Sequence, residues 1–170
     1  MLALANMSPA SRKHAKRRKY RTDADDLVRW SDTHAAAWIG LLETHKRLTR
    51  ELEAELVAEH GLSISGLEVL FRLARADGRT MRLTALAEAA GLSLSRVSRI
   101  LDTLEQRGLA ERRADADDSR AKQARLTPQG LEVLRAAQHT HFAGVERLFF
   151  DRVSAADVET LARVFEPFRR

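Results

Sequence analysis

This sequence predicts a mainly α-helical fold with one small β wing, and three observations carry that prediction. Apolar residues recur at three- and four-residue steps over most of the chain. Single glycines, Gly61, Gly78, Gly91 and Gly108, stand where those patterns stop. Leu109 to Thr127 breaks the helical period instead, as two charged arms around the polar run Asp115-Ala-Asp-Asp-Ser-Arg120.

Taken in order, Thr33 to about His60 reads as one long helix in which Trp38, Leu41, Leu48, Leu52 and Leu56 share a face, closed by Gly61. At 1.5 Å per residue it spans roughly 40 Å. Ser65-Gly-Leu-Glu68 has the form of a capping box, in which a serine and the acid three residues on exchange hydrogen bonds with each other's amides. It predicts a second helix through Leu67, Leu70, Phe71 and Leu73 to the Asp77-Gly78 stop. A brief strand follows at Met81 to Leu83. Thr127-Pro128 is a cap with proline at the first helical position, opening a long helix to about Phe150. Ser154-Ala-Ala-Asp157 begins a last helix that Pro167 interrupts after Glu166.

Between these lies the informative stretch. Leu83 to Ala90 fits a first short helix and Ser93 onward a second, with Gly91 able to take the left-handed backbone of an abrupt exit. Ala87 is small enough for close crossing, and Leu86, Leu92, Val97 and Ile100 can share one core. This is a helix-turn-helix. Its second helix leaves Ser93, Ser95, Arg96, Ser98 and Arg99 for the outside, a face suited to a DNA major groove. Gly108 ends that helix, and the arms Ala110 to Ala114 and Ala121 to Leu126 then make it a winged helix.

The order of helix-turn-helix, Gly108-Leu-Ala-Glu-Arg112, Asp118-Ser-Arg120 and Leu126-Thr-Pro-Gln-Gly130 resembles the MarR family of bacterial transcription regulators. The similarity runs from about Thr33 to the C-terminus. It implies a dimeric regulator of double-stranded DNA whose wing carries an Asp-x-Arg motif, with Asp118 orienting Arg120 by a charge-assisted hydrogen bond. Some members of that family sense oxidants through a thiol. With no cysteine in this chain that chemistry, like thiolate zinc binding, is closed to it.

The residue chemistry gives each position a task. Arg96 and Arg99, three apart, can reach base edges or phosphates, and a bidentate arginine on guanine is the commonest specific contact. Ser93 caps a helix whose positive end suits a phosphate. Arg120 at the wing tip is placed for a narrow minor groove. Arg112, Arg113, Lys122 and Arg125 on the arms are expected as phosphate contacts, which position without reading sequence. The same cations also fit an ordinary solvated face.

Charge distribution qualifies this reading. The formal net charge is +5, yet Arg12, Lys13, Lys16, Arg17, Arg18, Lys19 and Arg21 lie in the first 21 residues with no acid among them. The remaining 22 cations face 24 acids, so DNA affinity must come from local placement of arginines rather than bulk charge. The tail itself reads as a solvated extension or as an arm along phosphates. If the arm dominated, the protein would be a non-specific architectural DNA binder, the alternative to a sequence-specific regulator. No G-x-S-x-G, H-E-x-x-H, G-x-G-x-x-G or P-loop occurs, so the expectation is no enzyme and no cofactor or metal. No apolar run spans a membrane, and a cytoplasmic location is expected.

Five of the six phenylalanines, Phe142, Phe149, Phe150, Phe165 and Phe168, fall in the last thirty residues, more apolar surface than one small winged helix buries. A two-fold homodimer built on the first and last helices is the simplest expectation. It sets two reading helices ~34 Å apart and predicts an inverted-repeat operator. The expected layout is a basic, flexible extension over 1–26, a helical dimerisation lobe of 27–62 with 128–170, and a winged helix-turn-helix DNA-binding lobe over 63–127. Trp30, His34, Trp38 and His45 follow near-helical spacing, where a small aromatic acid could stack as an effector. The same side chains equally suit interface packing. His139 and His141, two apart on a helix, point to different faces and make a poor metal pair.

Overall fold

The computed structural model describes residues 20–30, 32–114 and 122–168. In chain order these form β1 (Tyr20–Thr22), β2 (Val28–Trp30), α1 (Asp32–His60), α2 (Ile64–Arg75), β3 (Thr80–Arg82) and α3 (Leu83–Ala90). They continue as α4 (Leu94–Gln106), β4 (Ala110–Ala114), β5 (Lys122–Leu126), α5 (Pro128–Leu148) and α6 (Ala155–Phe165). Among the described residues helices predominate, with a small antiparallel wing and a short two-stranded pair beside them, which is the expected fold class. Two compact units are present, one ending at Lys46 and the other starting at Arg47.

In the first unit β1 and β2 pair antiparallel, Tyr20 opposite Trp30 and Arg21 opposite Arg29. Asp23 builds their turn. Its Oδ1 accepts from the amides of Asp25 and Leu27 at 3.1 and 2.9 Å, and its Oδ2 from Arg29 Nε at 2.6 Å. The Arg29 guanidinium, followed by the amide of Leu27, holds the Asp23 carboxyl below its usual range. Strand β1 and this turn lie inside the stretch read from sequence as the basic extension.

The second unit is organised around a leucine core. Leu56, Leu62, Leu70, Leu73, Leu86, Leu101, Leu104, Leu109, Val69 and Val97 are fully enclosed. Burying each such side chain stabilises by about 1.5–3 kcal/mol. Leu92 and Ile100 pack on this core from its edge while Leu86 and Val97 lie within it, so the four share it as the pattern predicts. The wing sheet has strand order β3-β5-β4, with Met81 and Arg112 both opposite the fully buried Ala124.

The start of α2 differs from the expectation. Its cap is Ser63, whose side chain accepts from Gly66 N–H at 2.9 Å, and not the Ser65–Glu68 box. The chain has already re-entered the core at Leu62, so the helix starts two residues earlier. Glu53 of α1 takes the amide of Ile64 at 2.7 Å, and Glu68 pairs with Arg72 instead. The long C-terminal helix ends at Leu148 rather than near Phe150, with one tight turn, Phe150–Arg152, before α6. Ser154 and Asp157 do form the reciprocal capping box at the start of α6.

Two positions show how α5 is seated. Thr127 caps it, accepting from Gly130 N–H at 2.9 Å and donating to Gly108 O at 2.7 Å. A Cβ on Gly130 would lie 1.9 Å from the Leu109 carbonyl oxygen, so no side chain fits there. Farther along, a cavity of about 180 Å³ opens between α2 and α5, with Leu67, Phe71 and Phe142 among its walls. His141 borders it. Its Nδ1 is buried without a hydrogen-bond partner among the described residues, and burial holds the imidazole below its ordinary value.

Gly130→Ala is expected to destabilise the protein by about 1–3 kcal/mol, the usual cost of overpacking, read as a lower melting temperature. His141 gives a pH signature. Because its folded pKa lies below the unfolded value of about 6.5, the unfolded chain binds more protons just below that pH. Stability contributed by the neutral ring is therefore complete above about pH 6.5 and declines as the pH falls through the folded pKa. His141→Phe should melt with a shallower decline over that acid range than the unmodified chain.

Candidate nucleic-acid interface

The local sequence builds the reading unit from a glycine and a serine. Gly91 has φ +64°, and the Leu92 amide turns back to the Ala87 carbonyl at 2.9 Å, ending α3 abruptly. Two residues later Ser93 caps α4, its hydroxyl accepting from Arg96 N–H at 3.3 Å and lying 3.2 Å from Ser95 Oγ. Val97, Leu101 and Leu104 face the core, so the rotation of α4 about its axis is set by burial.

That rotation leaves Ser93, Ser95, Arg96 and Arg99 exposed in the first turns of the helix, whereas Ser98, expected on the same outer face, is only partly exposed because Arg112 covers it. Leu94 joins them at 49% exposure, an apolar contact of the kind that recognises a thymine methyl, and sequence reasoning had passed over it. Arg96 does not stand alone. Its guanidinium donates to Ser65 Oγ in α2 at 3.1 Å, which narrows the directions it can take. Arg99 has no acidic partner among the described residues.

A cleft of about 410 Å³ separates α4 from the α1–α2 turn, lined by Ser63, Gly66, Arg96, Arg99 and Arg107 among others. Arg107 is committed to the backbone there, donating to the carbonyls of Gly61 and His60 at 2.5 and 2.7 Å. These are orphan carbonyls at the end of α1, so this cation completes a helix terminus.

The wing cations divide. Arg113 pairs with Glu111 at 2.6 Å, and Arg125 reaches the same carboxylate at 3.7 Å. Both remain about half exposed, as does much of their strand face. Lys122 is exposed at the start of β5. Arg112 points the other way. It is enclosed against α4 by Asp102, by Glu105 and by both the carbonyl and hydroxyl of Ser98. Ser98 thereby spends its acceptors on the wing. Asp102 and Glu105 were not singled out from sequence, although two acids three apart on a helix with a cationic outer face signal an internal partner. Asp118 and Arg120 lie outside the described residues.

Trp30 lies in β2 and packs edge-on against Tyr20, with centroids 6.3 Å apart. His34, Trp38 and His45 lie on α1, and all four of the proposed effector residues are exposed in the single chain. Among the described residues no group of three or more His, Cys, Asp or Glu side chains is arranged to hold a metal ion. No helix there is long and apolar enough to cross a membrane.

Comparison with known proteins follows the same lines. The model of the MarR family matches residues 60–121, from the end of α1 into the wing. The crystal structure of AbsC, a MarR family transcriptional regulator from Streptomyces coelicolor, superposes with a TM-score of 0.75 at 35% identity, covering 82% of this chain and 95% of that one. A second MarR family regulator from Streptomyces coelicolor, solved in complex with DNA, gives a TM-score of 0.76 at 28% identity, covering 82% and 89%. BldR from Sulfolobus solfataricus shares the fold, with a TM-score of 0.66 at 20% identity over 80% and 96%. No curated protein matches the sequence. With helix-turn-helix, wing and flanking helices all accounted for, the chain belongs to the MarR family of transcriptional regulators.

Proposed function

We propose that the protein is a sequence-specific repressor that binds an inverted-repeat operator as a homodimer in the cytoplasm. One observation carries the reading: the first turns of α4 present Ser95, Arg96 and Arg99 to solvent on a helix whose opposite face is locked into the core. Such a helix can enter a major groove as a rigid body, with arginines reading guanine edges and Leu94 meeting a thymine methyl. Arg113, Lys122 and Arg125 serve as phosphate contacts on the flanks, and Arg120 as the minor-groove finger oriented by Asp118.

Exposed apolar surface supports the dimer. In the second unit Phe142, Phe150, Val164, Phe165 and Phe168 are 39–79% exposed. In the first, Trp38, Ile39, Leu41 and Leu42 on α1 are 43–52% exposed. Exposed apolar surface of this kind marks a protein interface, and an isologous pairing covers the same residues on both copies at once. Trp30 and Trp38 belong to that interface in this reading, with His34 and His45 beside them. A small aromatic acid binding there would release DNA by changing the separation of the two reading heads.

Selection of duplexes from a random pool by the purified chain should return an inverted repeat with half-sites about ten base pairs apart. Deleting residues 1–19, which carry six of the seven tail cations and leave β1 intact, should lower affinity and its salt dependence but keep the preference for that repeat over random DNA; loss of the preference would favour the architectural alternative. Arg96→Ala or Arg99→Ala should relax one base position in each half-site, costing about 1–3 kcal/mol. Arg120→Ala should weaken binding while sedimentation still reports a dimer.

A further inference from the structure

We propose that Arg112 is a positioning residue that fixes the wing to the reading helix, and that Asp102 and Glu105 strengthen DNA binding in spite of their charge. This rests on the reading that α4 and the wing face DNA.

The geometry is that of a brace between two elements. From the middle of β4 one guanidinium reaches Asp102 Oδ1 at 2.8 Å, Ser98 O at 2.6 Å, Ser98 Oγ at 3.2 Å and the carboxylate of Glu105. Positions 98, 102 and 105 follow one another by four and three residues, so they form a single stripe along α4 about 10 Å long. Glu105 does more than pair with the side chain. Its Oε1 also accepts the backbone amide of Arg112 at 2.5 Å, so the strand itself is tied down. Arg112 is opposite the fully buried Ala124 in the register, and β5 must follow β4.

Charge makes the case sharper. Two carboxylates against one guanidinium leave this stripe net negative on an element that faces a polyanion, which by itself disfavours binding. Asp102 keeps 56% of its side chain exposed, so its field is not hidden by burial. Arg112, only 19% exposed and already donating on several sides, has little left for a phosphate. The arrangement is a poor phosphate site and a good anchor. What it holds in place is the hairpin that bears Arg113 and Lys122 and leads to Arg120.

The two accounts differ in the sign of an effect. A simple surface-charge account makes Glu105→Gln and Asp102→Asn bind DNA more tightly. The brace makes them bind more weakly, by about tenfold for the pair, because the hairpin loses its orientation. The measurement uses the full chain and a duplex selected by the unmodified protein, titrated by fluorescence anisotropy at several salt concentrations, with circular-dichroism melting as the control for folding. Arg112→Ala should weaken binding at every salt concentration while the slope of log K against log salt stays that of the unmodified chain. Lys122→Ala, as the phosphate-contact reference, should lower the slope by about 0.9. Arg112→Lys should not rescue, since a single ammonium cannot span Ser98, Asp102 and Glu105 together. In the Arg112→Ala background, Asp102→Asn should have no weakening effect left, since Asp102 meets the wing through that guanidinium, and Glu105→Gln should keep only the part that acts through the strand amide. Should Arg112→Ala melt too low to assay, the isosteric Glu105→Gln and Asp102→Asn carry the test alone. Tighter binding by those two variants, or a slope lowered by about one in Arg112→Ala, overturns the proposal while leaving the DNA-reading surface standing. An unmodified chain that prefers no duplex overturns both.

Discussion

The fixed rotation of α4 is the constraint on which the rest of this protein depends. A helix that offers side chains to DNA is useful only if those side chains cannot roll away, and three independent restraints prevent it. Val97, Leu101 and Leu104 sink one stripe into the leucine core. Ser93 closes the N-terminus with a hydrogen bond, and Gly91 sets the angle at which the chain arrives. As the third restraint, a second stripe of Ser98, Asp102 and Glu105 is taken up by Arg112 of the wing. What remains is a narrow outward strip bearing Leu94, Ser95, Arg96 and Arg99, the face on which the proposed recognition of DNA rests.

The flanking helices serve that strip by joining it to a rigid frame. Arg107 on α4's C-terminal side finishes α1 by donating to its last carbonyls, so the two helices share one terminus. Thr127 links the turn after α4 to the start of α5, and Gly130 lets α5 press against the Leu109 carbonyl where no other residue fits. Across α1 and α5, Glu59 and His60 meet Thr140, and Glu55 meets Arg147. Polar contacts at the seam and leucines beneath it join α4, α5 and the end of α1 into one body within the second unit.

The elements of the helix-turn-helix and the wing arms were readable in the sequence because each carries a local signal. Glycine at a left-handed turn, serine at a cap and a three-residue apolar period act over a few positions and do not wait for tertiary context. What escaped depends on distant partners. Ser63 rather than Ser65 caps α2 because Leu62 is already buried and Glu53, on another helix, supplies the acceptor for Ile64. Nothing within four residues of Ser65 discloses that. Similarly, Arg112 and Arg113 are neighbours of one type on one strand, and only the alternation of the strand against α4 tells that one is enclosed by the carboxylates of that helix and the other, paired with Glu111, stays half exposed. The β1–β2 turn was hidden for another reason: a run of aspartates reads as a solvated loop until Asp23 is seen to gather two amides and an arginine.

The bond from the Arg112 amide to Glu105 has one more effect. In the order β3-β5-β4, β4 is an outer strand, and an outer strand with a vacant amide invites another copy's strand to lie alongside it. Here that donor is occupied by a carboxylate from the protein's own helix. The contact that ties the hairpin to α4 therefore also occupies an edge donor to which the strand of another copy could have paired.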